Sequence, residues 1–250
     1  ESADGILLSP AEVLFLKSLI LREEEEGEEN AKLMVDGRKS LQKRGFISGD
    51  EKTGYTINDQ LVMAMAIYLA PQQKIEASTS ALEDVAGGET INYYQWDDYF
   101  VEQTSADQNR IRLAGLNDAG HAVERLGKVI PLTEGEMEAL EMSMTEDEFE
   151  TAVTEAQAGT FDPGPSSPLG SLGGPASEST SDLAQSLGSG EVVGSIRVQK
   201  FDGRKPTGTR DLQFLKGSQG TWVVSRDSQK ADQVDVNLAT PESIGGEFGE

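Results

Sequence analysis

Few side chains in this sequence are equipped for catalysis. There is no cysteine and only one histidine, His121, so disulfides, thiolate nucleophiles, thiolate zinc sites and histidine-rich metal clusters are excluded by composition. His121 precedes Ala122-Val123-Glu124 in a helical pattern, where an imidazole is usually a surface or partly packed residue. Asp97-Asp98, between Trp96 and Tyr99, come nearest to paired carboxylates for acid–base work. Neighbours on a strand point to opposite faces, and at a two-residue turn both face water, so a turn explains the pair better. Nine acids and no base lie from Thr133 to Ala158, without the alternating oxygen ligands and central glycine of a calcium loop. No G-x-x-x-x-G-K-[ST], no G-x-G-x-x-G opening a helix and no G-x-S-x-G elbow occurs. The expectation is a protein that is not an enzyme and takes neither cofactor nor metal.

Two groups of residues could bind rather than react. The first is the aromatic run Tyr93, Tyr94, Trp96, Tyr99 and Phe100, in which alternation places about half of the rings in the core. Rings left on a sheet face or hairpin tip favour partner contacts, and Tyr94, Trp96, Tyr99 and Phe100 are the candidates. The second is the one basic island that the sequence displays: Lys32, Arg38, Lys39, Lys43, Arg44 and Lys52. It overlaps "GRKSLQKRGFISGDEKTGYTIND", Gly37 to Asp59, which reads as a helix end, a tight turn, a strand, a loop and a second strand, as in a winged helix. In a DNA reader the second helix would enter the major groove and Lys52 on the wing would touch phosphate. In an architectural role the same unit caps a sheet and turns its charges to water. Asp36, Asp50, Glu51 and the run Glu23 to Glu29 oppose the island, and the chain as a whole carries a formal charge of -23. Up to Ala158, 13 bases face 32 acids, giving -19. Such a field repels a phosphate backbone, so nucleic acid is not the expected partner.

The elements that hold these groups follow from caps and periodicity. Ser9-Pro10-Ala11-Glu12 starts a helix that ends near Arg22, and a second runs from about Asn30 to Arg44 with Gly45 at its end. Phe46-Ile47 and Tyr55-Thr56-Ile57 form a small hairpin, and Asn58-Asp59 cap a third helix that stops before Pro71. From Gln73 the period becomes two: strands begin at Ile75, cover Thr90 to Trp96 and Tyr99 to Gln103, and close with Arg110 to Leu113. Asn117-Asp118 start a helix with Val123, Leu126, Val129 and Ile130 as its buried stripe. Thr133 to Ala158 reads as one acidic helix with Met137, Leu140, Met144, Phe149 and Val153 on one face. Strands return at Val192 to Phe201, Arg210 to Leu215, Thr221 to Ser225 and Val234 to Leu238, before a helix start at Thr240-Pro241-Glu242 with little after it.

Helices followed by a meander exclude a doubly wound βαβ fold and predict an α+β class: a winged-helix-like helical segment with antiparallel meander sheets. Residues 1–132 make the first half, 133–158 the acidic helical segment, 159–190 a flexible linker and 191–250 a four-stranded second half. The linker rests on composition, because 19 of the 32 residues from Gly159 to Gly190 are Gly, Ser or Pro, with room for one helical turn over Leu183 to Leu187. Arg110-Ile-Arg-Leu before Asn117-Asp118 has the pattern of Gln233-Val-Asp-Val before Thr240-Pro241, which suggests two pseudo-symmetric halves of one domain. No stretch approaches the roughly 20 apolar residues of a membrane-spanning helix, and no basic-then-apolar leader opens the chain, so neither a membrane contact nor a signal peptide is expected. The absence of cysteine fits a reducing compartment, and a cytoplasmic location is expected.

The assembled pattern resembles the EspG family, the cytosolic chaperones of type VII (ESX) secretion. The similar segments are Leu8-Ser9-Pro10-Ala11-Glu12, "SLQKRGFI", "YTINDQLVMAMAIYLAPQQKIEAS", "IRLAGLNDAGHAVERLGKVIPL", "LQFLKGSQGTWVVSRD" and "VDVNLATPESI". The resemblance implies a pseudo-two-fold α/β domain that binds the tip of a secreted helical-hairpin protein, of the PE–PPE or WXG type, and keeps it soluble. It places the contacts on a hairpin loop of the first sheet and on the helices after it. The chain departs from the family where its middle segment turns acidic and Gly/Ser-rich, and where little follows the last helix start.

Overall fold

The computed structural model describes residues 5–22, 26–79, 90–107, 109–116, 118–133, 141–161, 178–218 and 220–249. In chain order the elements are β1 (Ile6–Leu8), α1 (Pro10–Leu21), α2 (Glu28–Lys43), β2 (Ile47–Asp50), β3 (Gly54–Ile57), α3 (Asp59–Leu69), β4 (Gln73–Thr79), β5 (Thr90–Trp96), β6 (Tyr99–Asp107), β7 (Arg110–Leu116) and α4 (Ala119–Gly127). There follow β8 (Met142–Thr145), α5 (Glu146–Ala158), α6 (Glu178–Ser189), β9 (Val192–Asp202), β10 (Lys205–Lys216), β11 (Thr221–Asp227), β12 (Gln233–Leu238) and α7 (Pro241–Gly249). The class is α+β with antiparallel strands. The chain divides into two compact units: Glu1–Lys74 with Ile91–Asp118 and Phe201–Lys205, and Ile75–Thr90 with Ala119–Lys200 and Pro206–Glu250.

In the first unit the strands lie in the order β1, β7, β6, β5. α1 opens on a reciprocal cap: the Glu12 amide donates to Ser9 Oγ at 3.3 Å, and the Ser9 amide donates to Glu12 Oε2 at 2.8 Å. α2 lies against α1 at Gly37, where a Cβ would stand 2.1 Å from the Ala11 carbonyl oxygen. That contact explains a glycine in mid-helix. The β2–β3 turn is closed by Asp50, whose Oδ1 accepts from the amides of Lys52 and Thr53 at 2.9 and 2.8 Å. Asn58 caps α3 through the Leu61 amide at 3.2 Å. α3 packs on β6 and β7, and the core gathers Leu8, Phe15, Leu16, Leu41, Leu61, Met65, Val101 and Leu113.

In the second unit the order is β4, β9, β10, β11, β12, β8. Here three expectations are corrected. Thr133 to Ala158 is not one helix, because Met142–Thr145 pairs antiparallel with β12 and the helix begins only at Glu146. Met142 and Met144 are buried at alternate positions of a strand, and the cap between Thr145 and Glu148 starts α5 afresh; Met137 and Leu140 lie outside the described residues. Of the expected linker, 178–189 is the three-turn helix α6, while 162–177 lie outside the described residues. Counting Gly and Ser hides the stripe Leu183, Ala184 and Leu187, all buried and joined to Phe149, Ala152 and Trp222 in one core. The closing helix also forms in nine residues: Thr240 and Ser243 cap each other at 2.9 and 3.1 Å, and Ile244 and Phe248 are buried one turn apart. On α4 the buried residues are Ala122 and Leu126, with Ile130 after it, while Val123 and Val129 are half-buried.

α6 is held by Asp182. Its buried carboxylate accepts from the Ser218 amide at 2.7 Å, Ser218 Oγ at 2.5 Å and Trp222 Nε1 at 2.9 Å, so one side chain fastens the helix to the β10–β11 turn and to the core tryptophan.

The order of elements repeats along the chain. A short strand pairs with the last strand of its meander, β1 with β7 and β8 with β12, and leads into a helix opened by a capping box, Ser9/Glu12 or Thr145/Glu148. A helix follows each meander, α4 or α7.

Two substitutions test this account. Gly37→Ala, which in an open helix would stabilise by about 1 kcal/mol, is expected to destabilise by about 1–3 kcal/mol because the methyl meets the Ala11 carbonyl. Asp182→Ala leaves the Trp222 indole and the Ser218 amide without their acceptor and is expected to remove about 3 kcal/mol. Urea unfolding of each variant beside the parent reads both values.

Candidate partner-binding surface

The hairpin of β5 and β6 sets Tyr94 opposite Val101, Gln95 opposite Phe100 and Trp96 opposite Tyr99. Asp97-Asp98 form the turn, as expected, with Asp97 at φ 54°. The turn is tied down from below: the Asp97 amide donates to Gln72 Oε1 at 3.0 Å, the Gln72 amide donates to the Gln95 carbonyl at 2.8 Å, and Gln95 Nε2 donates to the Asp97 carbonyl at 3.1 Å. Trp96 and Tyr99 stand across from each other at the tip, 46% and 55% exposed. Two carboxylates lie between them in sequence.

The other two aromatic candidates are core residues. Tyr94 packs edge-on against Tyr68 at 4.9 Å and donates its hydroxyl to Gln103 Oε1 at 3.3 Å; Phe100 is 4% exposed. Alternation misjudges them for a physical reason. Tyr93 and Tyr94 sit on opposite faces of β5 and both are buried, so exposure is set by distance from the tip rather than by face. A cross-strand aromatic pair beside a two-residue turn is the signal that finds the exposed ones.

The basic island does not act as a unit. Arg38 Nη1 pairs with Glu51 at 2.7 Å and donates to the Tyr55 hydroxyl at 3.2 Å. Arg44 Nη1 pairs with Glu12 at 2.8 Å, its Nη2 donates to the Leu7 carbonyl at 2.8 Å, and its guanidinium lies 4.7 Å from the Phe46 ring centroid. Both arginines, the side chains suited to bidentate recognition, serve the fold. Lys32, Lys39 and Lys43 are exposed on α2, with Asp36, Glu28 and Glu29 exposed on the same helix, and Lys52 is exposed on the wing. Among the described residues no three acidic or imidazole groups come together as a metal site.

A second surface lies in the other unit. α4 and α7 pack together and leave a groove of about 640 Å³ lined by Ala119, Val123, Gly127, Leu132, Pro241 and Gly245, with Glu124 and Lys128 paired at 3.0 Å on its rim. Sequence reading anticipated the first helix of this groove and only the start of the second. Among the described residues no helix is long and apolar enough to cross a membrane.

No family model matches the chain, and no curated protein sequence does. Among solved structures the chain is similar to the Mycobacterium tuberculosis type VII secretion system chaperone EspG5, determined in complex with a PE25–PPE41 dimer. The match covers 97% of this chain and 94% of that one, with a TM-score of 0.58 and 14% sequence identity. The fold is EspG-like. At this identity the likeness is one of fold alone. Where the sequence departs from the family pattern, this chain nevertheless forms the helices α6 and α7.

Glu12 yields a pH prediction. Burial pushes its carboxyl up, but the hydrogen bonds from the Ser9 amide, Arg44 and Ser40, with the Arg44 charge, outweigh burial and hold it below the ordinary glutamate value. A group whose folded pKa is depressed adds stability above its unfolded pKa and loses it as pH falls through the folded one. The stability gap between the parent and Glu12→Gln is therefore expected to be widest near neutrality and to close as pH falls below about 5 and through the depressed folded value. Chemical denaturation across that range measures the gap.

Proposed function

We propose that this chain is a non-enzymatic, cytosolic chaperone of type VII secretion that holds a helical-hairpin substrate of the PE–PPE or WXG kind until export. The observation that carries the reading is the likeness of fold over nearly the whole chain to a chaperone solved with a PE–PPE dimer. The Trp96–Tyr99 tip supports it chemically. Two large rings held rigidly on a tied turn supply apolar contact area at low entropic cost, and Asp97 and Asp98 suit the amide end of a partner helix or a basic side chain. The tip of a helical hairpin offers both an apolar knuckle and a helix start. The net charge of -23 keeps the carrier soluble and discourages polyanions, in line with a polypeptide client.

Co-expression with candidate helical pairs encoded by adjacent reading frames, followed by affinity purification, tests the reading. A stoichiometric complex is expected with one pair, and failure of every pair to co-purify would count against the chaperone role. In that complex Trp96→Ala with Tyr99→Ala is expected to weaken binding at least about tenfold, roughly 1.4 kcal/mol or more, without lowering the melting temperature, since both rings are exposed. Unchanged affinity would move the contact away from this hairpin.

A further inference from the structure

The sequence shows one basic island, but folding assembles another. In the second unit Lys200 of β9, Arg210 of β10 and Lys230 of the β11–β12 turn line one recess of about 270 Å³, together with Gln229, Asp227 and Glu247. These cations lie ten and twenty residues apart in sequence, which is why a window along the chain does not reveal them.

The recess already binds a carboxylate. Glu247, on α7, enters it and pairs with Arg210 Nη1 at 2.8 Å with its side chain only 12% exposed, while Arg210 Nη2 also donates to Ser225 Oγ at 3.1 Å. The other acid has a structural task, since Asp227 Oδ1 accepts from the Gln229 amide at 2.8 Å in the turn. Lys200 and Lys230 are exposed at the mouth, and Gly246 leaves open space where a Cβ would stand.

We propose that this recess is a docking site for a short acidic peptide segment, whose carboxylate joins or displaces Glu247 on Arg210 while Lys200 and Lys230 take neighbouring acids. The internal Glu247–Arg210 pair shows the chemistry that the site accepts. The length of the ligand follows from the charge of the whole chain. At physiological salt the Debye length is about 8 Å, so a few carboxylates feel the local cations, whereas a duplex or a lipid surface also meets the field of a molecule carrying -23. This inference does not rest on the chaperone reading and concerns a different unit from the Trp96–Tyr99 tip.

A dye-labelled hexaglutamate peptide titrated into the full chain, followed by fluorescence anisotropy, tests the site. Binding is expected to weaken severalfold between about 50 mM and about 300 mM salt. Lys200→Gln with Lys230→Gln, both on exposed side chains, is expected to weaken it about tenfold, and Glu247→Gln to strengthen it severalfold by releasing Arg210. Amide chemical-shift changes in the unmodified protein are expected around residues 200, 210 and 230, which keeps the test independent of how the variants fold. Equal affinity of parent and lysine variant, shift changes confined to other regions, or tighter binding to a short DNA duplex or to anionic vesicles than to the peptide would each overturn the proposal.

Discussion

Withdrawing a carboxylate from water is costly unless donors meet it, and each unit holds one that three hydrogen-bond donors meet. Glu12 is 2% exposed and takes donors from Ser9, Ser40 and Arg44, which bind the start of α1 to the last turn and the C-cap of α2; Arg44 then reaches the Leu7 carbonyl in β1. Asp182, 4% exposed, does the same for α6, the β10–β11 turn and Trp222. Apolar packing tolerates small slides between helices. A buried charge with three fixed donors does not, so these two acids set the register of the helices that apolar contact alone would leave loosely specified.

The same arrangement decides what the basic side chains are available for. An arginine that neutralises a buried glutamate cannot also read a base edge, and Arg44 is such an arginine. The segment from Gly37 to Asp59 forms the expected helix end, turn and two-stranded hairpin: its turn is closed by Asp50, its helix is pinned at Gly37, and Arg38 ties the helix to Glu51 in the β2–β3 turn.

The first unit was legible because its signals are local. Ser9, Asn58 and the Asp97-Asp98 turn announce themselves within three or four residues, and β5 and β6 pair across that turn. The second unit was less so. The strand Met142–Thr145 has meaning only beside β12, and α6 is helical because Leu183, Ala184, Leu187 and Asp182 have partners far along the chain, which outweigh a composition that by itself favours disorder. For the candidate surface, sequence named four rings of one hairpin, and the structure exposes two of them. Trp96 and Tyr99 are exposed and Tyr94 and Phe100 are not, because just behind the tip both faces of the hairpin are covered, with Tyr93, Tyr94, Phe100 and Val101 all buried.

β1 and β8 each pair on one side within their unit and are only three and four residues long. So brief a border offers an extended chain few vacant backbone donors and acceptors, too few to seed further strands. The two borders therefore close the strand order of each unit, at β1 and at β8, and keep it from templating growth onto a neighbouring molecule.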